Sequence, residues 1–202
     1  MEKILIINGS PRAKKSNSKQ YGELLASYAQ LESETVVITK RNHAEICQKI
    51  TEYEHVVFVF PLYADSIPAT LLQFLIVWEQ HLTAQTSRPY FHAIVNCGFI
   101  EAMQNDVCIE MLQFFCQKNK LEMGSVLSIG SGEAILGTPF KVFVQWKIRQ
   151  FARSLTQHRF KKYEITMPLT KKMYIKASTQ YWINYGKRNG VTQAEMATMT
   201  IE

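Results

Sequence analysis

The sequence predicts a doubly wound α/β sandwich, a parallel sheet covered by helices on both sides. Three observations carry that expectation. Five short runs rich in Ile, Val, Leu and Phe recur between Lys3 and Gly130. Each is apolar on both faces, as strands covered from both sides are. Helical patterns separate the runs, and a strand–helix alternation repeated five times belongs to few other architectures.

The elements follow in order. Strands are predicted at residues 3–8, 34–39, 55–60, 91–96 and 125–130. Helices are predicted over 18–31, 44–52, 69–82, 101–118 and 139–155. The fourth helix carries Val107, Met111, Leu112 and Phe115 at helical spacing. The fifth places Phe140, Phe143, Val144, Ile148, Phe151 and Leu155 on one face, with Pro139 in its first turn, where a missing N–H does no harm. Right-handed connections with helices on both faces require the strand order to reverse once. For five strands the expected order is 2-1-3-4-5, with ligands at the carboxyl ends around strands 1 and 3. Residues 1–157 form this domain. Residues 158–202 form a C-terminal helical extension, in which Pro168 and Thr170 open a helix through Tyr174, Tyr181, Trp182 and Tyr185. Its aromatic density predicts packing on the domain or on a partner subunit.

Composition narrows the function classes. The formal net charge is +6, and from Lys141 onward twelve basic residues face only Glu164, Glu195 and Glu202. Such a half is either a solvated helix face or a surface for an anionic partner. No zinc-finger spacing, RNA-binding aromatic motif or Gly-x-x-Gly clamp supports nucleic acid. No run of eighteen apolar residues exists to cross a membrane, and the chain opens on a strand instead of a basic-then-apolar leader. Cys47, Cys97, Cys108 and Cys116 show neither paired nor metal-ligand spacing, so no metal is expected and the cytoplasm is the expected compartment. His43, His55, His81, His92 and His158 show no catalytic arrangement.

Three loops carry the chemistry. After strand 1, Asn8-Gly-Ser-Pro-Arg-Ala-Lys-Lys-Ser-Asn-Ser18 joins a strand to a helix N-terminus, where unpaired backbone N–H groups and the helix dipole favour an anion. Ser10, Ser16, Asn17 and Ser18 add side-chain donors and Arg12 adds charge, although Ser and Asn also serve as ordinary caps. After strand 3, Pro61-Leu62-Tyr63-Ala64-Asp65-Ser66-Ile67-Pro68 is bracketed by prolines that hold the backbone rigidly. After strand 4, Asn96-Cys97-Gly98-Phe99 offers an amide, a close-approach glycine and an aromatic cover.

Together these three loops resemble the flavodoxin-like NAD(P)H-dependent FMN reductases and quinone reductases, in order and register over about residues 1–157. The tail ending Tyr181-Trp182-x-x-x-Gly-Lys-Arg-Asn-Gly190 is similar to an extension of some bacterial members. The resemblance implies a flavodoxin-like three-layer sandwich that binds FMN and uses NAD(P)H. Ser10, Arg12, Ser16, Asn17 and Ser18 would surround the phosphate. Pro61, Leu62, Tyr63, Ala64 and Asp65 would run along the isoalloxazine, with Asn96, Cys97, Gly98 and Phe99 on its other side. Hydride would pass from the nicotinamide through the flavin to a small acceptor: a quinone, a nitro or azo compound, or free flavin. No side chain acts as nucleophile in that cycle, because the cofactor carries the chemistry. A homodimer is implied as well. Two other readings stand beside it: a flavodoxin-type electron carrier without a nicotinamide site, and a non-catalytic protein whose basic, aromatic tail binds a membrane surface or a protein. The first loop departs from many members, since Ala13-Lys14-Lys15 follows Arg12 with no glycine.

Overall fold

Six strands pair in the computed structural model, which describes residues 2–83 and 88–198. They are β1 (Lys3–Asn8), β2 (Glu32–Val37), β3 (His55–Pro61), β4 (Tyr90–Asn96), β5 (Met123–Ile129) and β6 (Lys162–Ile165). All neighbours are parallel and the order is β2-β1-β3-β4-β5-β6. The expected five-strand order is therefore present, with one correction. A sixth strand extends the sheet beyond β5, pairing Val126↔Lys162 through Ile129↔Ile165. It is a short edge strand whose charged, alternating residues give no buried-strand signal.

The helices are α1 (Asn17–Tyr28), α2 (His43–Ile50), α3 (Ala69–Leu82), α4 (Asp106–Lys118), α5 (Lys141–Thr156), α6 (Lys171–Arg188) and α7 (Gln193–Thr198). Alternate residues of each central strand serve opposite faces. Leu5, Ile7, Val56, Phe58, Phe60, Phe91, Ala93 and Val95 join α2, α3 and α4 in the larger core, centred on Phe74 and Trp78. The Phe58 and Phe91 rings stack at 4.7 Å. On the other face α1 and α5 cover the sheet with Tyr21, Leu25, Val144, Ile148, Phe151 and Leu155, all fully buried.

Two helix faces differ from expectation. A 3-10 turn, Ala102–Asn105, precedes α4 and shifts its phase, so Cys108, Ile109, Leu112 and Cys116 point inward while Val107 is exposed. In α5 the inward face holds, but Phe143 turns outward.

The chain divides into two units, Met1–Met167 and Pro168–Glu202. Residues 158–167 fall in the first because β6 pairs with β5. In the second, α6 is capped by Thr170, whose hydroxyl accepts from Met173 N–H, and α7 follows a turn at Gly190. Residues 199–202 of the expected extension lie outside the described residues. Among the described residues no helix is long and apolar enough to cross a membrane.

Candidate functional site

Because every strand runs the same way, the segments after β1, β3, β4 and β5 emerge at one edge of the sheet. Backbone bonds stitch them together: Gly9 N to Val59 O at 3.0 Å, Leu62 N to Asn96 O at 2.8 Å, Cys97 N to Ile129 O at 2.9 Å and Gly132 N to Cys97 O at 2.7 Å. All three loops singled out from the sequence are thus brought to adjacent strands, joined by a fourth that was not singled out.

The first loop folds on itself. Ala13–Lys15 form a 3-10 turn in which Ala13 N donates to Ser10 O and Lys15 N to Arg12 O. The Asn8 side chain accepts from Ser10 N at 2.9 Å and reaches Ala13 O and Ser16 Oγ with its amide. Ser16 is the N-cap of α1, accepting from Lys19 N at 3.1 Å and donating to Ala13 O at 2.8 Å. Its hydroxyl is committed to the local fold. Ser10 and Ser18 are buried, and both oxygens accept: Ser10 from Arg12 N, Ser18 from the Asn96 amide at 3.1 Å. Each keeps a hydroxyl proton to donate. Those two protons, the first-turn N–H groups of α1 and the exposed Arg12 guanidinium form a donor set that suits an anion. The first turn of α1 carries no acidic side chain to compete.

The second loop is a two-residue hairpin. Tyr63 and Ser66 exchange both N–H···O bonds, at 3.1 and 3.0 Å, around Ala64 (φ 47°) and Asp65 (φ 56°). That left-handed pair defines a type I′ turn, which usually takes Asn-Gly. Holding two non-glycine residues there costs about 1–2 kcal/mol each. The turn lifts Tyr63 to 42 % exposure. Pro61 and Leu62 are half-buried at its base, and Ala64 and Asp65 are exposed at its tip.

In the third loop Asn96 is a bolt between elements. It is buried, and its amide donates to Ser18 Oγ on α1 and to Phe60 O on β3 at 3.0 Å. Cys97 is buried too, its Sγ 3.8 Å from Phe99 O and from Glu101 O. Burial pushes its thiol above the ordinary cysteine value, and burial raises Cys47 to about 11 and Cys108 and Cys116 to about 12. None of the four is an activated thiolate. Phe99 stands 52 % exposed, so two solvent-facing aromatics, Tyr63 and Phe99, rise from adjacent strands.

The fourth loop, after β5, crosses back toward α1. Gly132 O accepts from Tyr21 Oη at 2.8 Å and Glu133 O from the Asn17 amide at 3.4 Å. A Cβ on Gly132 would lie 2.8 Å from Asn96 Cβ, so only glycine allows this crossing. The run Gly130-Ser131-Gly132 was its signal in the sequence. Ser131 (φ 53°), Ala13, Ala64 and Asp65 make four of the six left-handed non-glycine residues among those described. Backbone strain gathers at this edge, as it does where a site over-determines its loops.

The opposite edge holds a second polar cluster, which the sequence did not reveal. His92 Nδ1 accepts from Ser125 N at 2.8 Å, which places its proton on Nε2. That proton faces His55 Nδ1 at 3.1 Å, so His55 in turn carries its proton on Nε2, toward Glu2 at 3.5 Å. His158 Nε2 lies 3.0 Å from the same carboxylate. Glu2, His55 and His158 have the composition of a metal site, with ligand atoms within 4.8 Å of one another. The tautomer chain opposes that use, because His55 presents a proton where a metal needs a lone pair. A Cβ on Gly124 would stand 2.2 Å from the His92 ring, which fixes the ring's place.

Comparison with known proteins shows the fold. No family model matches the sequence, and no curated protein does. Solved structures match well in fold. A NAD(P)H:quinone oxidoreductase from Methanothermobacter marburgensis superposes with a TM-score of 0.60 at 14 % identity, covering 79 % of this chain and 98 % of that one. An FMN-dependent NADH-azoreductase from Bacillus anthracis, solved with FMN, gives 0.53 at 17 %, covering 77 % and 99 %. A Streptococcus pneumonia flavodoxin gives 0.55 at 11 %, covering 78 % and 99 %. The chain has the flavodoxin-like fold, and its structural neighbours include quinone reductases, azoreductases and a flavodoxin.

Proposed function

We propose that this chain is an FMN-dependent NAD(P)H oxidoreductase that passes electrons to a small acceptor, a quinone, a nitro or azo compound, or free flavin. The observation that carries the reading is the convergence of the β1, β3 and β4 loops at one edge, with an anion donor set on the first and a strained hairpin on the second. Ser10, Arg12, Asn17 and Ser18 would hold the phosphate of FMN. Pro61 to Asp65 and Asn96 to Phe99 would hold the ring, with Tyr63 and Phe99 as walls. Ser16 and Asn96 serve this site as its frame, one capping α1 and the other tying α1 to β3 and β4.

When bound, FMN supplies reversible two-electron chemistry, and the chain positions it. The first-turn N–H groups and Arg12 would offset the charge of the phosphate. The hairpin Tyr63–Ser66 would present its backbone donors and acceptors to the ring in a fixed arrangement. The exposed rings of Tyr63 and Phe99 would be the groups available to orient a nicotinamide or acceptor. The structural likeness to a flavodoxin favours a second reading, an electron carrier. Residues 1–157 carry 15 basic and 14 acidic side chains, without the acidic excess that such carriers usually have.

The two readings separate in one experiment: anaerobic absorbance of the FMN-loaded protein on mixing with NADPH or NADH. Bleaching of the flavin band within seconds supports the oxidoreductase. A flavin that is bound but stays oxidised with both nucleotides supports the carrier. We propose as well that the chain is a homodimer joined through the exposed apolar strip of α3 and α4, where Leu72, Ile76, Val107 and Phe114 line one groove. Phe114→Glu should shift the protein from dimer to monomer in sedimentation, leaving its melting curve in place.

A further inference from the structure

The charge of this chain is polarised along its length. Residues 1–140 carry 11 basic and 14 acidic side chains, a net −3, whereas residues 141–202 carry 12 basic and 3 acidic, a net +9. Between Glu164 and Glu195 there are five lysines and arginines and no carboxylate. Helix α6 lies in that stretch and spans about 27 Å. At about 100° per residue, Ile175, Tyr181, Trp182 and Tyr185 fall within an arc of about 120°; Lys171 falls inside that arc and Arg188 at its edge, and Lys172, Lys176 and Lys187 fall on the opposite side. The aromatic face is open to solvent: Tyr181 is 59 % exposed and Trp182 50 %, with Ile175 and Tyr185 exposed beside them. Their rings lean on one another, Tyr181 to Trp182 at 5.3 Å and Trp182 to Tyr185 at 5.8 Å, a preformed aromatic patch.

We propose that α6 docks on an anionic lipid bilayer, lying in the headgroup plane with its Tyr–Trp face down. Trp and Tyr have an apolar body and a polar tip, and at a bilayer surface both are satisfied at once. A helix that binds in this way is rich in lysine on its polar face and aromatic or aliphatic on the other. Lys171 and Arg188, on or beside the aromatic face, would meet the headgroups, and the three lysines of the far side need not touch lipid. A helix is about 10 Å across, close to the screening length at 0.1 M salt, so its far-side charges still feel an anionic surface. An acidic protein partner would need pockets for four ring or branched side chains, whereas a bilayer is indifferent to their arrangement.

The test uses the full chain and vesicle co-flotation. The probes are phosphatidylcholine vesicles with and without about 30 mol % phosphatidylglycerol, in about 0.05 M and about 0.5 M salt. The expected result is binding to the anionic vesicles only, at least about tenfold weaker at the higher salt. Trp182→Ala and Tyr181→Ala, both at exposed positions, should each weaken it by roughly tenfold without moving the melting temperature. Trp146→Ala, at an exposed position on α5, should leave it unchanged. No flotation at low salt would overturn the proposal. So would salt-insensitive binding to both vesicle types, loss with Trp146→Ala in place of Trp182→Ala, or tight binding to single-stranded nucleic acid with no flotation. None of these outcomes depends on whether FMN binds.

Discussion

The two edges of the sheet put polar groups to opposite uses. At the carboxyl edge Ser10, Ser18 and the first turn of α1 keep donors for a ligand, and the loops sit in strained left-handed turns. At the amino edge Ser125, His92, His55 and Glu2 pass hydrogen bonds in a single direction, each donor already matched to its acceptor. Both edges collect polar side chains against an apolar core. Unspent donors, and not polarity or strain by itself, set the candidate edge apart, since His158 and Lys120 are left-handed too.

The strongest way to break this contrast is to crowd the sealed edge. Gly124→Val should cost at least about 3 kcal/mol in urea unfolding, because its side chain would occupy the space of the His92 ring. Asn96→Ala comes next. It leaves Phe60 O and Ser18 Oγ without their amide partner and should cost about 1–3 kcal/mol. It should also weaken FMN binding, since the frame of the site loosens.

Acid should act at the amino edge. Burial holds His55 and His92 below the ordinary histidine value, in the folded state only. As pH falls below about 6.5 the unfolded chain gains protons that the folded chain refuses, so stability falls. The slope is at most about 1.4 kcal/mol per pH unit for each histidine. His92→Gln retains an acceptor for Ser125 N, and urea midpoints between pH 7.5 and 5.5 should change less with pH than in the parent. The smallest structural effect belongs to the open edge. Arg12→Ala should leave the melting temperature in place and weaken FMN binding by roughly tenfold, as loss of one charged phosphate contact does.

The fold was legible wherever strands were apolar on both faces. Residues 3–8, 55–60 and 91–96 lie in the middle of the sheet, and burial there leaves no choice of side chain. Lys162–Ile165 was not legible, because an edge strand needs little apolar surface and this one alternates charge with Tyr163 and Ile165. The phase of α4 was missed for a local reason. The 3-10 turn before it rotates the helix, and Cys108 and Cys116 fill core positions that the pattern assigned to Val107 and Phe115. The three candidate loops could be read because each is continuous in sequence. The histidine cluster could not, since His55 and His92 meet only through the register of β3 and β4, and His158 joins them from the segment after α5. The loop after β5 lies between these cases: its glycines were visible, but its reach back to Tyr21 and Asn17 is a property of the fold.

The central claim is that the carboxyl edge is a flavin site. Its most direct test is titration of the purified protein into FMN, followed by quenching of the flavin fluorescence. Saturable quenching at one FMN per chain, weakened by Arg12→Ala and by Ser18→Ala but not by His92→Gln, is the expected result. No quenching at micromolar protein, or quenching that His92→Gln reduces while the two loop variants do not, would contradict it.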